Sequence, residues 1–262
     1  MPARRAAAGL AALLALVLLA GSPAVARALA QIKDSGTIVL CAHPNSLPFA
    51  SKDGSRHGFQ VELAQALARR LGVALTQNWV ITSYDIFRAD CDIVMDSIAD
   101  RQAQAESGLR ISKPYRRSGV AIAMRGDDTT IRSLDDLTTA HRKVGVLTSS
   151  IAAMKLSQGG AELVPGLFED EMLAMLSNGE IDAAAVTPTS AGYYNLIHPK
   201  QKVRLIYPFD GEPDLSWNVA VGMRRPDPEL QQAIDDAMAR LLADGTVKRI
   251  YARYGVEVRP PR

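Results

Sequence analysis

Apolar positions along the chain switch between two periods, and the switches mark alternating strands and helices. Residues 37–41 open with the β-branched run Ile38-Val39-Leu40, which suits a short buried strand. Pro44 and Pro48 forbid helix in the next stretch, and Asn45-Ser46 between them is turn chemistry. Beyond the glycine-punctuated loop at Asp53-Gly54 and Gly58, Phe59, Leu63, Leu67 and Leu71 recur every four residues. Glu62, Gln65, Arg69 and Arg70 occupy the other faces of this amphipathic helix, and Gly72 is placed to end it. A strand whose carboxyl end opens into a polar loop before a helix is where open α/β sheets hold small ligands.

The same reading carries on down the chain. Strands are expected at 75–79 and at 91–95, the latter ending in Asp96-Ser97, with one helical turn at 83–88 between them. A polar segment, 99–108, precedes a strand at 120–124 and a linker-like cluster at 126–130. A second α/β set follows. Ser133 caps a short helix at 133–137, 143–147 is a strand, and Thr148-Ser149-Ser150 caps a helix from Ile151 to about Leu156. A weak strand at 161–164, a helix at 169–177 closed by Asn178-Gly179, and an apolar strand at 181–186 come next. Thr187-Pro188 interrupts that strand before Tyr193-Tyr194 and a strand at 203–206. The chain then returns through a strand at 217–223. Asp227-Pro228 starts a long helix with Leu230, Ile234, Met238, Leu241 and Leu242 on one face, and a short closing helix carries Val247, Ile250, Tyr251 and Tyr254.

The amino terminus reads differently. Arg4-Arg5, an apolar run over 6–20, the break at Gly21-Ser22-Pro23 and the small-residue site Ala24-Val25-Ala26 together make a secretory signal peptide, residues 1–26. Ala28-Leu29-Ala30 is a second cleavage choice, so the first thirty residues are expected outside the fold and the mature protein soluble. The chain has 262 residues with 30 basic and 28 acidic side chains; without Arg4 and Arg5 these balance at 28 each. A neutral mature protein has no electrostatic footprint for nucleic acid or anionic membrane. Two cysteines in an exported chain point to one disulfide, Cys41–Cys91, with two buried thiols as the alternative. Closing that loop is worth roughly 4 kcal/mol on the chain-entropy model, provided the register of the two strands permits the bond.

Familiar catalytic patterns are absent. His43, His57, His141 and His198 lack metal-ligand spacing, no G-x-S-x-G occurs, and the glycines form no dinucleotide fingerprint.

The order of features resembles the periplasmic solute-binding proteins that carry polar amino acids to ABC importers. The stretches that carry the resemblance run in order from Leu47-Pro48-Phe49 and Gly58-Phe59-Gln60-Val61-Glu62-Leu63-Ala64 through Cys91-Asp92-Ile93-Val94 and Ser112-Lys113-Pro114-Tyr115. Ser133-Leu134-Asp135-Asp136-Leu137 and Leu242-Ala243-Asp244-Gly245-Thr246 complete the set. The resemblance implies a type II periplasmic-binding-protein fold of the α/β class, two α/β lobes joined by two hinge strands with a ligand cleft between them. Lobe 1 would be 32–124 plus 219–262 and lobe 2 would be 125–218. It further implies a ligand set of Asn45, Ser46, Phe49, Tyr84, Asp96, Ser97, Arg101, Thr148, Ser149, Ser150 and Thr187, with Arg110 competing for the arginine's place. Tyr115, Phe87 and Trp217 are further candidates for aromatic walls. An arginine and a helix amino terminus suit a carboxylate, and an acid from lobe 2 suits an ammonium. This chain departs from the pattern by placing Thr187 where that acid stands and Ser46 where an aromatic often stands. Asp96 is then either the missing negative charge or a solvated carboxylate. Some proteins of the fold are enzymes, for which Asp96 or Glu62 would be the carboxylate, but the reading here is a binding protein without cofactor or metal.

Cys41-Ala42-His43-Pro44-Asn45, Cys91-Asp92 and Ala191-Gly192-Tyr193-Tyr194 look like a narrower subgroup, the periplasmic proteins encoded beside quinoprotein (PQQ) alcohol dehydrogenases. The expected partners are therefore a small-molecule ligand and either ABC importer membrane subunits or a periplasmic quinoprotein dehydrogenase, with the protein a monomer in the periplasm.

Overall fold

A computed structural model describes residues 27–100, 108–224 and 226–262. The first stretch holds α1 (Leu29–Ser35), β1 (Thr37–Ala42), β2 (Asn45–Ser46), β3 (Ala50–Ser51), α2 (Phe59–Leu71), β4 (Ala74–Trp79), α3 (Ser83–Arg88) and β5 (Ile93–Ile98). Strands β6 (Leu109–Ile111), β7 (Arg116–Gly119) and β8 (Ala121–Arg125) lead to α4 (Asp135–Thr139), β9 (Lys143–Leu147), α5 (Ile151–Gln158) and β10 (Glu162–Gly166). Then come α6 (Glu169–Asn178), β11 (Ala183–Val186), α7 (Pro188–Ile197), β12 (Val203–Ile206), β13 (Ser216–Arg224), α8 (Pro228–Ala243) and α9 (Thr246–Ala252). No helix among the described residues is long and apolar enough to cross a membrane.

The first sheet runs β4-β1-β5-β13-β6, with β7 also paired to β13. Strands β4, β1 and β5 are parallel, and β13 is antiparallel to β5. The four-residue period of α2 lays Phe59, Leu63, Leu67 and Leu71 into one core with Ile38 and Leu40 of β1 and Leu230, Ile234, Met238 and Leu241 of α8. Each such side chain contributes about 1.5–3 kcal/mol by leaving water. Leader and fold meet earlier than expected. Helix α1 begins at Leu29, whose N–H donates to the Asp227 carboxylate at 3.2 Å, and Arg27 Nε donates to Asp92 Oδ1 at 3.1 Å. Asp92 is buried, and its Oδ2 also accepts the Val39 N–H at 2.7 Å. Residues 27–30 thus belong to the fold; their alanine-rich composition hid this, because the polar groups they reach lie far along the chain.

The second sheet runs β10-β9-β11-β8-β12, with β10, β9 and β11 parallel and β8 and β12 antiparallel to their neighbours. Its central strand β11 is apolar on both faces, as a helix-covered sheet requires: Ala183, Ala184, Ala185 and Val186 are all buried. Strand β8, placed by its sequence at the close of the first lobe, hydrogen-bonds in this second sheet. The chain therefore leaves the first sheet at Gly119, before residue 124. At the return, β13 rejoins the first sheet from Ser216.

The crossovers fix how the lobes face. Strand β13 pairs Val219 with Ile98, the last residue of β5, and its earlier residues 216–218 run on past that carboxyl edge beside β7. Strand β8 starts with Ala121 opposite Val186, the last residue of β11. Both crossovers thus attach at the carboxyl edges of the parallel strands, so these edges face each other.

Two further contacts tie the lobes. The chain end lies along the first crossover: the Arg117 N–H donates to the Arg259 carbonyl at 2.8 Å, and the Arg259 guanidinium clasps the Asp210 carboxylate and lies 4.0 Å over the Tyr207 ring. The hydrogen bond from Arg259, and then the charges of Arg259 and Arg117, hold the Asp210 carboxyl below the usual carboxylate range. Because the folded pKa is lowered, this clasp contributes fully above the unfolded value near 3.9 and weakens as pH falls through the folded value. Hydrogen exchange of the 257–262 amides is expected to stay constant from pH 7 to 5, after correction for intrinsic rates, and to accelerate below pH 4.

Helix α7 meets the turn after α9 through two glycines. A Cβ on Gly192 would stand 2.3 Å from the Gly255 carbonyl oxygen, and one on Gly255 2.3 Å from the Gly192 carbonyl oxygen. Gly192→Ala is expected to cost about 1–3 kcal/mol in a urea melt, because backbone on both sides must move.

Candidate functional site

The facing edges collect most of the expected ligand set. On the first lobe, β1 ends in the loop bearing Asn45 and Ser46, which pair as a two-residue hairpin with Ser51 and Ala50. The Asn45 N–H donates to His43 Nδ1 at 3.1 Å, and the Phe49 N–H to the Ser46 carbonyl at 2.8 Å. Gly58 seals the loop from behind: its φ is 89°, and a Cβ there would lie 2.3 Å from the Phe49 carbonyl oxygen. Asn45 is exposed, while Ser46 and Phe49 are half-buried. The Phe49 ring leans on Phe59, centroids 5.1 Å apart, so part of that expected contact is spent on the core.

Asp96 is neither a solvated carboxylate nor a free anchor. At φ 55° it turns out of β5, and its Oδ1 accepts the Arg116 Nε–H at 2.9 Å and stands 2.9 Å from Nη2 of the same guanidinium. The Tyr251 hydroxyl donates to the same carboxylate at 2.9 Å, while the Asp96 N–H donates to the Tyr115 hydroxyl oxygen at 2.9 Å. The side chains of Arg116 and Asp96 are only 4% and 5% exposed. Burial works against the Arg116 charge, but the Asp96 carboxylate outweighs it, and the guanidinium pKa stands above its ordinary value. Burial first, then the Asp96 charge, pushes the hydroxyls of Tyr115 and Tyr251 up. The guanidinium also lies 5.0 Å over the Tyr251 ring. Among the described residues this is a buried network that engages Asp96 and Tyr115 with the protein itself, which argues against Asp96 as a ligand contact and Tyr115 as an aromatic wall.

Other expectations divide. Ser97 Oγ would stand 2.4 Å from a Cβ on Gly222, so it lies over the neighbouring strand β13. Trp217 is half-buried against the first core. Arg110 sits opposite Met223, whose other partner is Ile93 at the start of β5. It therefore stands at the amino edge, away from the cleft, and is no substitute for Arg101. Arg101 and the side chains of Tyr84 and Phe87 lie outside the described residues. Glu62 is held by the buried Tyr254 hydroxyl at 2.5 Å and by Arg253, a pairing between α2 and the turn after α9.

On the second lobe, the two expected segments, 148–150 and Thr187, are joined by the unexpected loop after β10 into one rim. The Thr148 N–H donates to the Gly166 carbonyl at 3.1 Å, joining the ends of β9 and β10. Ser149 has φ 59°, and Ser150 Oγ accepts the Ala153 N–H at 3.1 Å as the cap of α5. Thr187 caps α7, its Oγ1 accepting the Ser190 N–H at 3.3 Å.

Glu169 was not among the residues expected here. The Thr187 N–H donates to its Oε1 at 3.0 Å and the Thr187 hydroxyl to its Oε2 at 2.8 Å. A carboxylate offers about four acceptor sites, so each oxygen keeps capacity for another donor, and Glu169 is only half-buried. At sequence level it reads as an ordinary acid in the first turn of a helix. The one available signal is Thr187 standing where an acid is expected, which calls for a carboxylate from elsewhere on the same rim. The arrangement can take a cationic group at the second lobe's edge.

A model of the bacterial extracellular solute-binding proteins, family 3, matches residues 38–257. The L-cystine-binding protein TcyJ of Escherichia coli (strain K12) is 28% identical over 237 residues, 87% of this chain and 86% of that protein. The histidine-binding periplasmic protein of the same strain is 26% identical, covering 80% of this chain and 84% of its own. Among solved structures, the unliganded open L-cystine solute receptor of Neisseria gonorrhoeae superposes with a TM-score of 0.74 at 21% identity, covering 89% of this chain and 99% of that one. None of the relatives named here is described as an accessory of a dehydrogenase.

Proposed function

This chain belongs to the bacterial extracellular solute-binding proteins of family 3, and from that premise we propose that it captures a small amino compound between its lobes for an ABC importer. The Glu169 carboxylate carries the reading: it waits on Thr187 at a rim that faces the other lobe, with acceptor capacity unused. An ammonium group there gains charge-assisted hydrogen bonds, and hinge closure at the crossovers 119–121 and 207–215 then removes the pair from water. The relatives' names, cystine-binding and histidine-binding, supply the chemical class. With Asp96 and Glu62 already engaged, the reading is capture without turnover, by a monomer that needs no cofactor. The leader, residues 1–26, directs export, and the mature chain works in the periplasm.

The test is a thermal-shift and calorimetric screen of the mature protein against amino acids and simple amines. A solute at one hundred times its Kd should add about 2.7 kcal/mol of stability. Glu169→Gln is expected to weaken it by about 1.5–3 kcal/mol, roughly 10- to 150-fold in Kd. If no amino compound stabilises the protein while it co-purifies with a periplasmic dehydrogenase, the capture reading is overturned.

A further inference from the structure

We propose that the solute is amphiphilic, an ammonium head carried on an apolar body of several carbons, with Phe168 and Leu167 forming the wall that selects the body; this rests on the capture reading above. Ten large apolar side chains are exposed among the described residues, and six of them stand at the two facing edges. Leu47 and Ile81 follow β1 and β4 and Ile98 ends β5 on the first lobe; Ile151, Leu167 and Phe168 follow β9 and β10 on the second. Ile81 is 73% exposed, Leu167 72% and Phe168 61%, the three highest values in the set. Isolated exposed apolar residues need no explanation, but a concentration on two opposed edges does.

The occupant follows from what accompanies them. Phe168 immediately precedes Glu169 as the amino-terminal cap residue of α6, so the apolar wall and the carboxylate belong to one turn. A solute contacting Glu169 by its ammonium finds exposed Phe168 and Leu167 as the neighbouring residues of the same turn. The polar groups of this rim are largely engaged with one another: Thr148 with Gly166, Thr187 with Glu169, Ser150 with α5. A polar body would lose water against this wall without new partners, whereas an apolar body loses nothing and covers the exposed rims.

The experiment compares two series by calorimetry on the mature protein. One is L-2-aminobutyrate, norvaline, norleucine and phenylalanine with butylamine and hexylamine; the other is serine, glutamine and lysine. Affinity is expected to rise about fourfold per methylene along the first series, from about 0.8 kcal/mol for each buried CH₂. Phe168→Ala should flatten that gradient while leaving the head-group dependence on Glu169 intact. Leu242→Ser, an exposed apolar residue on α8, should change nothing. Tighter binding of the polar series, or an unchanged gradient in Phe168→Ala, overturns this inference and leaves capture standing. Binding by neither series overturns the capture reading and this one with it.

Discussion

Asp96→Asn is expected to destabilise the protein by roughly 3–5 kcal/mol. The change removes the charge but keeps the shape, so Arg116 is left cationic and buried, with only an amide and two phenol hydroxyls around it. A guanidinium keeps its proton throughout the accessible pH range even without that carboxylate, so it cannot escape by deprotonation. Urea denaturation read by tryptophan fluorescence checks the size of the loss. The double variant Asp96→Asn with Arg116→Met separates the cost of an orphaned charge from that of lost packing, and should recover most of the stability. If Asp96 instead contacted solute, Asp96→Asn would abolish solute binding under conditions where the variant is still folded; on the geometry found here, affinity survives there.

Removing the disulfide should cost a similar amount. Cys41, near the end of β1, and Cys91, just before β5, stand with Cα atoms 5.5 Å apart, and the bond spans a sequence separation of 50. The register answers the geometric condition set by the sequence. Leu40 pairs with Ile93 and Cys41 with Val94, and the Asp92 N–H donates to the Val39 carbonyl, so the chain approaches β5 alongside β1. Loop-closure entropy predicts a loss of roughly 4 kcal/mol for Cys41→Ala with Cys91→Ala, or for reduction of the wild-type protein. A melt with and without reductant measures it. A much smaller loss would mean that the unfolded chain already holds these strands close.

The alternating α/β order was legible because long amphipathic periods and capping residues act locally: Asp227-Pro228 starts α8 and Gly179 ends α6 as their chemistry requires. Short elements escaped. Strands β2, β3, β6 and β7 have two to four residues each, too few to show a period, and β7 is the charged run Arg116-Arg117-Ser118-Gly119. That run reads as solvated surface, yet Arg116 is buried because Asp96, twenty residues away, meets it. The site shows the same divide. Thr148-Ser149-Ser150 announces a cap within a few positions of a helix start, and Ser150 is that cap. Glu169 and Thr187 are eighteen residues apart, and no pattern along the chain couples them.

The glycine pair between α7 and the turn after α9 gives the molecule a bearing in the mechanical sense. Main chain rests on main chain at Gly192 and Gly255, so no rotamer has to be unlocked and no side-chain freedom is frozen when the lobes swing. If Glu169 and Phe168 are the lips that meet the solute, this joint lies apart from them. Substitutions there would then change the cargo without touching the contact on which the lobes turn.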